Sequence, residues 1–299
     1  YRFYFLSPIM YMQNSDNTLT IIIGERSNLS YHLLKRLNHT EVFSSNLLLK
    51  SLSPLNKFRA KKINIIFNNF QPSIKLNSYV DPCKYLDLSI SLTINVLMHL
   101  IKAGALINQI IYTSSCSVYG NLERKLNYSD TSPIGIPSSL KYLNEQILKE
   151  LCGDHGFKLT IARIFNIFGG NDDFSVINKI YNCYVNKTML NILNEGKSVR
   201  DYIHVENIVD VYEKILLEST ITFEIIDVGS GEGRSVADIL NYLSIKGYNI
   251  DTKSSVRSEI QSSKANIKKI EELVDISSFI DVNSFLIDKL NSSKFNLSH

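Results

Sequence analysis

The stretch Leu19-Thr-Ile-Ile-Ile-Gly-Glu-Arg-Ser-Asn-Leu-Ser-Tyr-His-Leu-Leu-Lys-Arg-Leu37 changes its hydrophobic period at one glycine. Before Gly24 runs a short β-branched segment without regular polar alternation, the pattern of a strand buried on both faces. After Gly24 come polar Glu25, Arg26 and Ser27, and then Leu29, Leu33, Leu34 and Leu37 recur at helical spacing. The order is strand, turn, helix. Such a unit opens a βαβ crossover, so repetition of it predicts an α/β fold on a mainly parallel sheet.

The repetition is present. Glu41–Phe43 reads as a second strand, Ile63–Phe67 as a third, Gln109–Thr113 as a fourth and Leu159–Arg163 as a fifth, with a long helix across Asp87 to Lys102. The last third is richer in Ser and Asn and less regular. It offers strands near Asp201–His204 and Ile225–Val228, then helices near Val236–Leu243 and at the C-terminus. No internal repeat is found. The expected fold is a doubly wound parallel sheet with a smaller C-terminal lobe.

Composition narrows the function. At 299 residues and 44% hydrophobic content the chain can bury a substantial core. Its 32 basic and 29 acidic residues, net +3, are spread along the sequence and leave no electrostatic footprint for nucleic acid. Cys83, Cys116, Cys152 and Cys183 lack the close spacing of a zinc or redox motif, so no metal is expected and a reducing, cytoplasmic location is. No run approaches the length of a membrane span. The apolar, aromatic opening, Tyr1 to Met12, is interrupted by Pro8 and is read as part of an appendage.

Five segments carry chemistry. Gly24 with Ser27, Asn28, Leu29 and Ser30 forms a strand-to-helix turn; glycine and small residues there let backbone amides approach a phosphate, although an ordinary turn would look the same. Ile110-Ile-Tyr-Thr-Ser-Ser-Cys-Ser-Val-Tyr-Gly120 is a strand running into Ser114 and Ser115. Pro137-Ser-Ser-Leu-Lys-Tyr-Leu-Asn-Glu-Gln146 places Pro137, Lys141 and Glu145 at helical spacing. Lys141 and Glu145 could equally be a solvated pair. Leu159 to Asp173 contains Arg163-Ile-Phe-Asn166, then Gly169 and Gly170. The fifth runs through Arg200-Asp-Tyr-Ile-His-Val205 to Gly229, Gly231 and Gly233.

Together, and in this order, these segments resemble the extended short-chain dehydrogenase/reductases, the nucleotide-sugar epimerases, dehydratases and ketoreductases. The resemblance covers about Leu19 to Leu243. It implies a Rossmann-type dinucleotide-binding domain over 19–165 after an N-terminal appendage of 1–18. Residues 166–299 are then mainly a substrate lobe, with a segment near 200–228 returning to the main sheet. It further implies cofactor contacts from Gly24, Ser27, Asn28, Leu29, Ser114 and Lys141, and substrate contacts from Ser115, Asn166 and Arg200, with Arg163 beside Asn166 at the junction. Ser115 and Lys141 become the candidate catalytic residues.

The implied reaction is NAD(P)-dependent 4-keto reduction or 4-epimerisation of a sugar on a nucleoside diphosphate, in bacterial surface-polysaccharide supply. Three departures stand out. Of the family's three glycine positions in the first turn only Gly24 holds glycine, with Ser27 and Ser30 at the others. The family's tyrosine position holds Pro137, for which Tyr142 and Tyr128 are nearby phenols, and Phe67-Asn-Asn-Phe70 replaces a small-residue strand end. Phe43-Ser-Ser-Asn46 after the second strand lacks a carboxylate for an adenosine ribose, which modestly favours NADP over NAD or, since no arginine sits there either, leaves the choice open. The alternative is a catalytically degenerate nucleotide-sugar or dinucleotide binder. Resemblance also implies a homodimer through the helices at 87–102 and 138–151.

Overall fold

The computed structural model describes residues 18–69, 82–121, 128–218 and 222–297. The appendage, Thr18 apart, and Phe70 lie outside them. Six strands form the main sheet: β1 (Leu19–Ile23), β2 (Thr40–Phe43), β3 (Lys62–Phe67), β4 (Leu106–Ser115), β5 (Lys158–Ile164) and β9 (Phe223–Val228). Their order is β2-β1-β3-β4-β5-β9, and every pairing is parallel. The isoleucine run of β1 is unbroken because both faces are covered. Ile21 and Ile23 pack on one side with Ile65, Phe67, Tyr112, Val96, Leu100 and Leu148, whereas Ile22 faces Ile66, Ile111, Leu33, Ile208 and Tyr212.

Helices supply those covers. On one face lie α1 (Asn28–Arg36) and α7 (Val205–Leu217). On the other lie the short α2 (Ser45–Lys50), α4 (Leu92–Ala103) and α5 (Ile136–His155). α4 continues from α3 (Pro82–Leu86) through a π-helical turn, Asp87–Ser91. The long helix expected over 87–102 is therefore present with a different local winding at its start.

After β5 the chain leaves the main sheet. β6 (Asn166–Phe168) pairs in parallel with β8 (Val199–His204), which is flanked also by β10 (Gly233–Ser235) and β12 (Ser262–Ser263). β7 (Leu190–Leu193) pairs with β11 (Thr252–Ser255). Helices α6 (Val176–Asn186), α8 (Val236–Ile245) and α10 (Val282–Leu297) close a third core around Phe168, Ile180, Tyr202, Leu243 and Leu286, while the short α9 (Lys268–Glu271) buries Ile270 under the main sheet. Of the strands in 200–228, β9 joins the main sheet and β8 belongs to this smaller one.

The strand order reverses between β1 and β3, since β2 and β3 lie on opposite sides of β1. In open α/β sheets that reversal opens a crevice at the carboxyl ends of the strands. Gly24, the start of α1 and the end of β3 all meet there.

Candidate active site

Gly24 adopts φ +124°, and a Cβ on it would stand 2.2 Å from the Asn68 carbonyl oxygen. Only glycine lets β1 turn this close to the end of β3. The Gly24 amide donates to the Phe43 carbonyl at 2.9 Å, so the turn also touches the end of β2. Asn68 then ties the turn to the helix: its Nδ2 donates to Ser27 Oγ at 2.9 Å and to Ser30 Oγ at 2.8 Å, and Ser30 Oγ donates to the Gly24 carbonyl at 2.7 Å. Serines replacing glycines are thus accommodated by an asparagine replacing a small residue. Ser27 is the N-cap of α1 without a side-chain capping bond, and the first-turn amides of Asn28, Leu29 and Ser30 have no preceding helical carbonyl to meet. These amides carry partial positive charge, which suits an anion. Asn28 is additionally a clamp, donating to the Gly169 carbonyl and accepting from the Asn171 amide, each at 2.9 Å. The Leu29 side chain is buried in the core, so Leu29 offers the site only its backbone.

At the end of β4 the two serines part company. Ser114 is buried and donates to Glu145, whose carboxylate is also gripped by Arg163 through Nε at 3.0 Å and Nη2 at 2.6 Å. Arg163 Nη1 donates to the Tyr128 carbonyl at 2.6 Å, its guanidinium lies 4.7 Å from the Tyr119 ring centre, and the Tyr119 hydroxyl donates to Asp227 at 2.5 Å. Glu145 is 0% and Arg163 1% exposed. The solvated Lys141–Glu145 pair allowed by the helical spacing is therefore replaced by a buried pair with Arg163, and Arg163 is enclosed rather than lining the junction. Ser115 caps the following 3-10 turn, its Oγ accepting from the Ser117 amide at 3.2 Å. That leaves the Ser115 hydroxyl hydrogen to donate elsewhere.

Helix α5 begins at Ile136, so Pro137 falls in its first turn, where a missing N–H costs no helical bond. One turn on, Lys141 Nζ donates to the Thr113 carbonyl at 3.1 Å, reaching β4 two residues short of Ser115. Burial pulls the Lys141 ammonium down to about 7, against the opposing pull of Glu145 and Cys116. The nearby phenols are placed differently. Burial, with Asp227 and Glu224 close by, pushes Tyr128 up to about 12, and the Tyr142 ring packs against the Val118, Tyr119, Phe165 and Ala265 cluster.

Asn166 and Arg200 lie across the junction, on β6 and β8. Asn166 Nδ2 donates to the Asp201 carbonyl at 2.9 Å. Arg200 donates through Nη2 to Glu259 at 3.0 Å and through Nη1 to the Val199 carbonyl at 2.9 Å. Glu259 also accepts from Asn194 Nδ2 at 2.8 Å, and Asn194 Oδ1 accepts the Arg257 amide at 3.0 Å. Sequence reading missed Glu259, Arg257 and Asn194, because the irregular stretch around them carries no periodic or motif signal. It also missed why the glycines from 229 cluster: buried Asp201 accepts from the Ser230 amide and hydroxyl and from the amides of Gly231 and Ala265, at 2.7 to 3.0 Å. A Cβ on Gly229 would come within 2.9 Å of that carboxylate.

Residues 21–229, from the first strand of the main sheet to just past the last, match the model of the NAD dependent epimerase/dehydratase family. The chain belongs to that family. A UDP-glucose 4-epimerase of Erwinia amylovora is 26% identical over 259 residues, covering 77% of this chain and 75% of the relative. Among solved structures, a UDP-glucose 4-epimerase of Thermotoga maritima with UDP-glucose superposes with TM-score 0.76 at 18% identity, covering 94% of this chain and 99% of that one. RMD of Pseudomonas aeruginosa, complexed with NADPH, gives 0.77 at 16% identity, covering 93% and 99%. At these identities the structural likeness establishes the fold, which is of Rossmann type.

A family cofactor of nicotinamide dinucleotide type meets suitable groups at two of its parts. The α1 amides suit the pyrophosphate, and the Lys141 ammonium at the end of β4 suits a ribose hydroxyl. At the adenosine ribose the end of β2 supplies Phe43 and Ser44. Lys57 Nζ lies 5.4 Å from the Phe43 ring centre, and the adjoining turn, whose Glu25 amide donates to the Phe43 carbonyl at 3.2 Å, carries exposed Glu25 and Arg26.

Proposed function

We propose that the protein transfers hydride at a ring carbon of a sugar carried on a nucleoside diphosphate, as a 4-epimerase or 4-keto reductase. One observation carries this: Ser115 and Lys141 meet the end of the same strand, β4, beside the β1–β3 reversal that receives a dinucleotide. The division into a dinucleotide domain over 19–165 and a mainly substrate lobe over 166–299 belongs to the proposal, as do a cytoplasmic location and a place in bacterial surface-polysaccharide supply. So does a homodimer through α4 and α5, which light scattering at micromolar concentration tests; a monomer contradicts it.

A bound nicotinamide supplies the hydride chemistry. The protein's own residues bind, orient and polarise. Amides of Asn28, Leu29 and Ser30 would hold the cofactor's pyrophosphate. The Ser115 hydroxyl, with a lone pair occupied by the Ser117 amide, donates its hydrogen to the reacting sugar oxygen. Arg200 grips the substrate diphosphate with the N–H groups left over from Val199 and Glu259, and Glu259 fixes the guanidinium plane. Asn166, anchored on Asp201, sets the floor between them. NADP over NAD is supported by the end of β2, where Phe43 and Ser44 supply no carboxylate for a ribose 2′-hydroxyl, and exposed Arg26 in the adjoining turn would pair with a 2′-phosphate. Arg26→Ala is expected to weaken NADPH binding about tenfold and NADH binding little, by calorimetry.

Pro137 favours a second reading, a binding protein without turnover. The test is a panel of 4-keto and unreduced nucleotide sugars with NADPH or NADH, run on wild type, Ser115→Ala and Pro137→Tyr. Turnover by wild type that falls about 100-fold in Ser115→Ala supports the enzyme. Activity only in Pro137→Tyr supports the binder.

A further inference from the structure

We propose that Lys141 itself is the proton donor and acceptor of the site, the role for which Pro137 provides no group. This rests on the nucleotide-sugar reading above and names the residue that completes its chemistry.

The argument begins with what surrounds β4. Tyr119 is committed as a donor to Asp227. Tyr128 turns its hydroxyl toward the Asn266 carbonyl at 3.5 Å, with Lys269 over its ring. Tyr112 is fully buried, with burial raising its pKa well beyond the ordinary phenol value. Lys141 differs from all three, because its nitrogen is delivered by one turn of α5 to the Thr113 carbonyl, on the strand that ends in Ser115. Among the described residues, the charged and titratable groups around it include Glu145 on its own helix, Cys116 on the turn after β4, Tyr112 on β4 and, behind Glu145, Arg163 on β5. Glu145 has both carboxylate oxygens bonded by Arg163, one of them also by Ser114, which draws its charge toward β5. A half-buried amine so placed against β4, its ammonium drawn down to about 7 by desolvation, suits a group that must both take and give a proton.

The step balances. When a sugar alcohol is oxidised, its O–H bond breaks, the proton bonds to the Nζ lone pair, a C=O bond forms, and the C–H electron pair leaves as hydride to the oxidised nicotinamide. In the reverse direction the ammonium returns its proton to the oxygen. Oxidation therefore needs the neutral amine and rises with pH through about 7, and reduction needs the ammonium and falls through it.

Arginine keeps the charge and a hydrogen bond to a ribose but does not release a proton near neutrality. Lys141→Arg is expected to bind cofactor and nucleotide sugar within about threefold of wild type by calorimetry while turnover drops about 100-fold or more. The double variant Pro137→Tyr/Lys141→Arg is expected to regain turnover, with its pH midpoint moved upward. Independently of activity, reductive methylation with carbon-13 formaldehyde gives each lysine an NMR signal. The one absent from Lys141→Arg is expected to titrate near pH 7. Titration of that signal in the ordinary lysine range overturns the inference, as does a Lys141→Arg enzyme with wild-type turnover and pH profile; in the latter case the nucleotide-sugar reading survives. A wild type that binds but turns over no nucleotide sugar, even though the signal titrates near 7, overturns that reading and the inference with it.

Discussion

Arg163 and Glu145 bear on stability more than any contact a substrate makes. Each is fully enclosed, so removing one leaves the other as an uncompensated buried charge. Arg163→Met is expected to cost about 3–5 kcal/mol in urea unfolding, and the double variant Glu145→Met/Arg163→Met much less than the sum of the singles. The helical spacing of Lys141 and Glu145 was plain in the sequence, but it left a solvated pair open as an alternative and gave no sign of Arg163 as the partner of Glu145. What decides the pairing is the register of β4 on β5, which sets Ser114 beside Arg163. A register between strands separated by a whole helix leaves no trace in local spacing. Ser115, at the end of a distinctive strand, could be singled out from sequence, as could Lys141; their hydrogen-bond partners could not.

At the scale of elements, the turn from β1 into α1 is the tightest constraint. Gly24→Ala places a Cβ against backbone, not a flexible side chain, at a φ that L residues avoid. It is expected to lower stability by more than about 1 kcal/mol and to weaken dinucleotide binding, read by thermal unfolding and calorimetry. Pro137→Tyr is the opposite case: in the first turn of α5 the proline contributes no required bond, so stability is expected to stay within about 1 kcal/mol. The six main strands and the helices at 28–36 and 92–103 were legible because β-branched runs and leucine spacing are imposed by two-sided burial, whereas α2 and α7 were not read from the sequence. The cluster of Asn194, Arg200 and Glu259 was legible only at Arg200, since its members come from segments about sixty residues apart and are joined by loops.

Across the whole molecule, α1 and α7 are joined by His32 with Glu206 and by Arg36 with Asp210 at 2.9 Å, so the helix whose N-terminus is proposed to hold the pyrophosphate is fixed to the chain that follows the Arg200 strand. Lys141 gives the fold a pH signature. Its folded pKa, about 7, lies below the ordinary lysine value, so between the two the unfolded chain holds a proton that the folded chain lacks. Stability is therefore expected to rise with pH through that window, with the burial penalty complete below it. Lys141→Met removes this contribution. The wild-type minus variant difference in unfolding free energy, measured by urea at about pH 6, 8 and 10, is expected to grow in favour of wild type with pH. A difference independent of pH contradicts the buried amine.

The most direct test of the central claim is a difference absorbance spectrum of the protein mixed with oxidised NADP or NAD and each of a set of UDP- and other nucleotide-linked sugars. Hydride transfer at the Ser115–Lys141 site predicts the reduced-nicotinamide band on addition of at least one sugar nucleotide, and no band in Ser115→Ala under the same conditions. Saturating binding of both molecules with no band for any sugar contradicts the claim and leaves a binding protein on this fold.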